Sequence, residues 1–129
     1  MLENPRSFQV KDPFDRTWTV EFRWLQNAIS IRHADAVDLK YFVANDEEKR
    51  EIVLALPHQE LVALAKQAGR ALTDSWCLHL GSLHLAEMIR TWEDMDKTIV
   101  TLSSRNLSHW NAAYQQALEK ARDTAQAHR

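Results

Sequence analysis

The chain has 129 residues, of which 45% are hydrophobic and 26% charged, and its formal net charge is −2. This composition is that of one soluble globular domain and excludes a disordered chain, while the near-balance of charges gives no reason to expect a nucleic acid or an anionic membrane as a partner. One cysteine excludes an internal disulfide framework, and two glycines exclude the glycine-rich loops that cradle phosphate groups.

The N-terminal segment lacks the basic start and the apolar stretch of a secretory signal. No uninterrupted apolar run is longer than the five residues at 52–56, which is far too short to span a membrane. The sequence therefore predicts a cytoplasmic protein that does not enter a membrane. We expect a single domain over residues 1–129, with residues 1–14 and 126–129 loosely ordered.

Strict alternation of apolar and polar residues predicts β-strands in the first half of the chain. In the first of them, one face would carry Trp18, Val20, Phe22 and Trp24. Residues 25–27 fit a chain reversal, and residues 45–50 fit a solvated turn. The predicted strands cover residues 17–24, 29–33, 37–43 and 52–56. Because short connections join antiparallel neighbours, residues 17–56 predict a four-stranded antiparallel meander.

Helical periodicity replaces this alternation after Pro57, a residue that the first turn of a helix tolerates. A second helix follows the N-cap candidates in residues 73–75. Its apolar arc, which runs from Trp76 to Met95, is unusually wide. This helix is therefore expected to be the central and most buried one.

Residues 97–103 combine β propensity with helical spacing, and the spacing favours a helix that continues to about residue 102. A last helix would begin near Ser104 or Asn106. Together the elements predict an α+β fold, in which a four-stranded antiparallel meander (about 17–56) is followed by three helices packed on one face of the sheet. The opposite, wet face would carry Thr17, Thr19, Glu21, Arg23, Ser30, Arg32, Asp38, Lys40 and Glu51.

Three polar side chains, those of His84, Glu87 and Thr91, interrupt the apolar arc of the second helix. Buried polar groups need hydrogen-bond partners. These three would therefore bond within the protein, or face a pocket or a second subunit, unless this edge of the helix simply reaches solvent. Met88 and Trp92 would supply apolar walls, so the five residues form the candidate pocket or interface.

The chain contains no recognisable catalytic motif. Cys77 lies in an apolar setting at the start of the second helix, which favours a buried, inert thiol over a nucleophile. A helix would turn His79 and His84 to different sides, so they could not chelate one metal ion. His33 is in phase with apolar strand residues and is interpreted as a core or rim residue. The sequence therefore predicts neither a metal site nor a cofactor.

The lack of a catalytic motif and the inventory of Trp and Leu favour a non-enzymatic protein–protein interaction module. A homodimer is expected, because two-fold self-association is the commonest oligomer. The alternative is a small-ligand binding protein or an enzyme with a pocket between the sheet and the central helix. Nucleic-acid binding is the least favoured hypothesis, because acidic residues share the wet sheet face with Arg23, Arg32 and Lys40.

Overall fold

The computed structural model describes residues 4–29 and 35–127. It confirms the predicted α+β class, with an antiparallel meander followed by helices that pack against the sheet. The strands are β1 (Ser7–Lys11), β2 (Thr17–Ile29), β3 (Asp35–Ala44), β4 (Lys49–Pro57) and β5 (Ile99–Thr101). The helices are α1 (His58–Ala68), α2 (Asp74–Thr91) and α3 (Ser104–Ala127).

The five strands form one sheet in the order β1-β2-β3-β4-β5. The first four pair antiparallel, and β5 pairs parallel with β4. Alternate side chains of β3 and β4 are buried on the face that the helices cover, which we call the inner face. Helix α2 carries the largest buried set of the three helices, in agreement with its wide apolar arc.

Strand β1 has no counterpart in the predicted meander. The sequence predicts loose order over residues 1–14, but Ser7–Lys11 pairs with the start of β2. Only Phe8 and Val10 of this strand are half-buried, and both pack against the core. Two apolar residues among polar neighbours make a weak periodic signal, so pairing with β2 rather than local pattern establishes this strand.

A β-bulge in β2 corrects two predictions. Phe22 pairs with Tyr41 but Trp24 pairs with Lys40, so Arg23 is an extra residue in the ladder. One extra residue moves all later side chains to the opposite face without turning the chain. Trp24 is therefore on the outer face, and residues 25–27 continue β2 instead of reversing it.

Of the predicted strand at 29–33, the structure describes only Ile29. Ile29 is the last residue of β2, and it pairs with Asp35. Residues 30–33 lie outside the described residues. The placement of the Ser30 and Arg32 side chains on the wet face, and of the His33 side chain at the core or rim, therefore stays a prediction.

Residues 97–103 form a strand, which corrects the predicted continuation of the second helix. Helix α2 ends at Thr91, and Trp92 caps it in the left-handed conformation with φ 65°. Strand β5 then pairs with β4, where the amide of Leu102 donates to the carbonyl of Ala55 over 2.9 Å. Met95 and Leu102 are both buried, but they reach the core from a turn and from the end of a strand. Their helical spacing is therefore coincidental.

Candidate functional site

A cleft at the C-terminal end of α2 contains four of the five candidate residues. Its volume is about 470 Å³, and it lies between α2, β5 and the first half of α3. We call it the α2–α3 cleft. The four candidate residues are His84, Glu87, Met88 and Thr91. The opposite walls are formed by Val100, Thr101, Asn106, His109 and Trp110.

Helix geometry brings the polar residues of α2 together. His84, Glu87 and Thr91 are spaced at i, i+3 and i+7, which places their side chains on one helix face. Met88 follows Glu87 and is buried beneath them, with 3% of its surface exposed. The spacing in the sequence was therefore sufficient to bring these side chains to one cleft.

His84 is held by a hydrogen bond from α3. The indole Nε1 of Trp110 lies 2.9 Å from Nδ1 of His84. Because an indole N–H can only donate, Nδ1 must be the unprotonated acceptor. A neutral His84 therefore carries its proton on Nε2, where it is free to donate a second hydrogen bond.

Burial keeps His84 in this neutral form. Desolvation lowers the pKa of His84 below its ordinary value, and the negative charge of Asp94 opposes the shift without reversing it. Protonation would place a hydrogen on Nδ1 and break the bond from Trp110. The contact between α2 and α3 is therefore tied to the charge of this imidazole.

The other two polar residues of the cleft bond within their own segment. Glu87 forms an ion pair with Arg90, one helical turn later. The hydroxyl of Thr91 donates to the carbonyl of Glu87 over 2.8 Å and accepts from the amide of Glu93. Their hydrogen bonds thus strengthen the end of α2, and the carboxylate and hydroxyl still border the cleft.

Trp92 is the candidate residue that the structure places elsewhere. Its left-handed backbone takes the chain out of helical phase, so its ring turns away from the α2–α3 cleft. The ring lies 5.6 Å from that of Trp18 and 5.8 Å from that of Phe14. The guanidinium of Arg16 stacks over it at 4.8 Å. Trp92 therefore closes one end of the core.

Sequence reasoning missed the residues that α3 contributes. The indole of Trp110 donates to His84, and the ring of His109 packs edge-on against that of Trp110 with the ring centroids 4.6 Å apart. No local signal indicates that the indole N–H is the partner of His84. Only the packing of α3 against α2 reveals it.

The outer face of the sheet, opposite the helices, is a second candidate surface. The register places Trp24, Lys40, Val53 and Ile99 side by side across four strands. Trp24 is 37% exposed and Ile99 63% exposed. The Lys40 ammonium lies 5.6 Å from the Trp24 ring and 3.0 Å from a carboxylate oxygen of Glu51. This face thus combines apolar side chains with charges of both signs.

Neither metal nor thiol chemistry is indicated by the described part of the chain. In it, no group of three or more His, Cys, Asp or Glu side chains is arranged to hold a metal ion. Cys77 is buried, with 1% of its surface exposed. Burial, and to a lesser extent the nearby Asp74, raises the pKa of this thiol to about 11. Cys77 is therefore a core residue.

Comparison of the chain with protein-family models, curated proteins and solved structures finds no match. Across residues 4–29 and 35–127, no helix combines the length and the apolar character needed to cross a membrane. The α2–α3 cleft and the outer face of the sheet are the two candidate functional surfaces of the described residues.

Proposed function

We propose that the protein is a non-enzymatic interaction module that associates with a second copy of itself through the outer face of its sheet. The observation that carries this proposal is the row of Trp24, Lys40, Val53 and Ile99. An antiparallel sheet with one wet face usually carries polar residues there. Here the apolar members of the row lie on a face that none of the described helices covers.

The size of the outer face suits a homodimer. With strands about 4.8 Å apart and about 3.4 Å per residue, the 35 residues of β2–β5 present roughly 600 Å² in projection. Side-chain relief makes the accessible area larger, which approaches the roughly 800 Å² per partner of a standard interface. The long stem of Lys40 can be buried with the apolar side chains while its ammonium stays paired with Glu51.

We also propose that the protein is cytoplasmic. Its single cysteine is free and buried, so the fold uses no disulfide. Such a chain is compatible with a reducing compartment.

Size-exclusion chromatography with light scattering over a concentration series tests the proposal. We expect a concentration-dependent dimer, weakened by Ile99→Lys, which adds a charge to the outer face. The matched control is Val62→Lys, because Val62 of α1 is also exposed, at 46%, but lies away from the sheet face. A wild-type monomer at the highest soluble concentration, or equal weakening by both variants, would overturn the proposal.

A second candidate function is small-ligand binding, with or without catalysis, in the α2–α3 cleft. It is favoured by the free Nε2–H of His84 beside the apolar ring of Trp110. The cleft volume of about 470 Å³ lies within the range of about 300–1,000 Å³ for small-molecule sites. Such a ligand would present a hydrogen-bond acceptor to His84.

Native mass spectrometry of the purified protein tests this second function. A bound molecule should appear as a stoichiometric added mass that is lost in His84→Ala. His79→Ala is the control, because His79 lies on the same helix but does not line the cleft. Unmodified mass in the wild type, together with no thermal shift on a panel of polar metabolites, would exclude the ligand function.

A further inference from the structure

Asp38 occupies an unusual place on the outer face. It sits on β3 between the buried residues Val37 and Leu39, and its own side chain is half-buried. Burial raises the pKa of this carboxyl group. Within the described residues Asp38 forms no salt bridge that would offset the free-energy cost of burying its carboxylate. Lys40, in contrast, pairs with Glu51. The outer face therefore carries a carboxylate for which a further cation would be favourable.

Asp38 and Lys40 lie on the same face of β3, about 7 Å apart along the strand. A two-fold axis that runs across the strands at the level of Leu39, between two facing sheets, exchanges positions 38 and 40. The same operation keeps each strand opposite its own copy but in the reverse direction. Opposite charges would then meet twice, once on each side of the axis.

We infer that two copies pack with their outer faces together and their β3 strands antiparallel, so that Lys40 of each copy faces Asp38 of the other. This arrangement rests on the self-association proposed above and specifies its geometry. Face-to-face sheets pack about 10 Å apart with their strands within about 30° of each other, which brings long side chains such as Lys into reach.

The inferred axis also matches large residues with small ones. On β4 it places Val53 over Ala55, because these residues pair with Lys40 and Asp38 of β3. On β5 it places Ile99 over Thr101 in the same way. Alternation of large and small side chains lets two facing layers interdigitate, as in a protein core.

Charge repulsion selects this register over its neighbour. An axis at the level of Lys40 itself would set the two Lys40 ammonium groups against each other. With the axis at the level of Leu39, Glu51 of one copy instead faces Pro57 of the other. This follows because Glu51 pairs with Phe42, three residues after Leu39, and Pro57 pairs with Ala36, three residues before it. No described charge of the face then meets a like charge.

Charge reversal at the two positions tests the inferred arrangement by light scattering and analytical ultracentrifugation. Asp38→Lys and Lys40→Asp, each alone, replace two attractive contacts with two repulsive ones, and we expect each to weaken the dimer about tenfold or more. An equimolar mixture of the two variants should form a heterodimer, because one copy then carries two lysines and the other two aspartates. The variant with both reversals should dimerise within about threefold of the wild type.

Controls separate this inference from the proposed function. Glu51→Gln removes the partner of Lys40 within the sheet and shows how much of the Lys40→Asp effect comes from that pair. Circular dichroism of each variant verifies folding, and Asp38→Asn offers a milder change if a reversal unfolds the protein. A wild-type dimer that responds to Ile99→Lys but not to the reversals or their mixture would overturn the inferred register and leave self-association intact. A wild-type monomer would overturn both.

Discussion

Gly81 of α2 lies directly against Leu39 of β3. A Cβ atom at position 81 would overlap Cδ1 of Leu39 and come within 3.1 Å of the Tyr41 hydroxyl oxygen. A glycine inside a helix costs about 1 kcal/mol relative to alanine. Here that cost is offset by the close approach of the central helix to the middle of the sheet.

Gly81→Ala should therefore destabilise the fold in spite of its better helix propensity. Overpacking of a dense core costs about 1–3 kcal/mol and the better helix propensity returns about 1 kcal/mol, so a net loss of up to about 2 kcal/mol is expected in urea unfolding. Leu39→Val should recover part of the loss, because it shortens the side chain that the new methyl group meets. Gly69→Ala is the comparison, since Gly69 has a left-handed φ of 65° but no neighbour in its way. If Leu39→Val recovered as much stability in Gly69→Ala as in Gly81→Ala, the contact between position 81 and Leu39 could not be the cause of the loss.

The bond between Trp110 and His84 predicts an acid-sensitive contact between α2 and α3. The pKa of His84 in the fold lies below its ordinary value of 6.5, so the unfolded chain takes up the proton first. The stabilisation is fully present above about pH 6.5 and is lost progressively as the pH falls through the folded-state pKa. The free energy of unfolding, measured by urea titration at several pH values, should show this decline.

His84→Asn is the matched variant for this effect. Its Oδ1 atom lies close to the position of Nδ1 and can accept from Trp110, but it does not titrate. The variant should lose less stability on acidification than the wild type does. Trp110→Phe removes the donor and should cost about 1 kcal/mol at neutral pH. Identical pH profiles for the wild type and His84→Asn would exclude His84 as the group responsible.

The buried carboxylate of Asp12 predicts a second loss of stability, at a lower pH than the loss that depends on His84. Burial opposes its ionisation, but hydrogen bonds from the Trp18 indole, from the backbone and side chain of Arg16 and from the Phe14 amide outweigh it and hold its pKa at about 2. This folded-state pKa is below the ordinary value of 3.8. The stabilisation from Asp12 is therefore present above about pH 4 and is lost as the pH falls toward 2.

Asp12→Asn should lower the melting temperature at neutral pH and flatten its dependence between about pH 4 and 2. Each carboxylate oxygen of Asp12 accepts from two of the four donors, and the amide keeps an acceptor at only one of the two positions, so two donors lose their partner. Asp15→Asn serves as the control, because Asp15 lies in the same turn with its side chain 83% exposed. Equal changes in melting temperature for the two variants would show that the buried network of Asp12 does not stabilise the fold.

Cys77 should resist thiol reagents in the folded protein. The thiolate is the reactive form, and burial, followed by the charge of Asp74, raises its pKa to about 11. With 5,5′-dithiobis(2-nitrobenzoate) at about pH 8, we expect negligible labelling of the native protein and one equivalent after unfolding. Rapid stoichiometric labelling without denaturant would mean that the start of α2 opens.

The class of fold and most of the α2 side of the cleft follow from local patterns. Side chains alternate in a strand and repeat every 3.6 residues in a helix, so alternation up to Leu56 and helical spacing after Pro57 are visible in single segments. The same rule put His84, Glu87 and Thr91 on one face of α2. These predictions needed no knowledge of which segments meet.

Three other features depend on segments that are distant in the chain. The extra residue Arg23 is a bulge only in relation to β3, and it moves Trp24 to the outer face. Residues 99–101 become a strand because β4 offers them a free edge. His84 finds its donor, Trp110, 26 residues later. These three features are stabilised by packing and hydrogen bonds between elements. The local propensity of a single segment does not include that free energy.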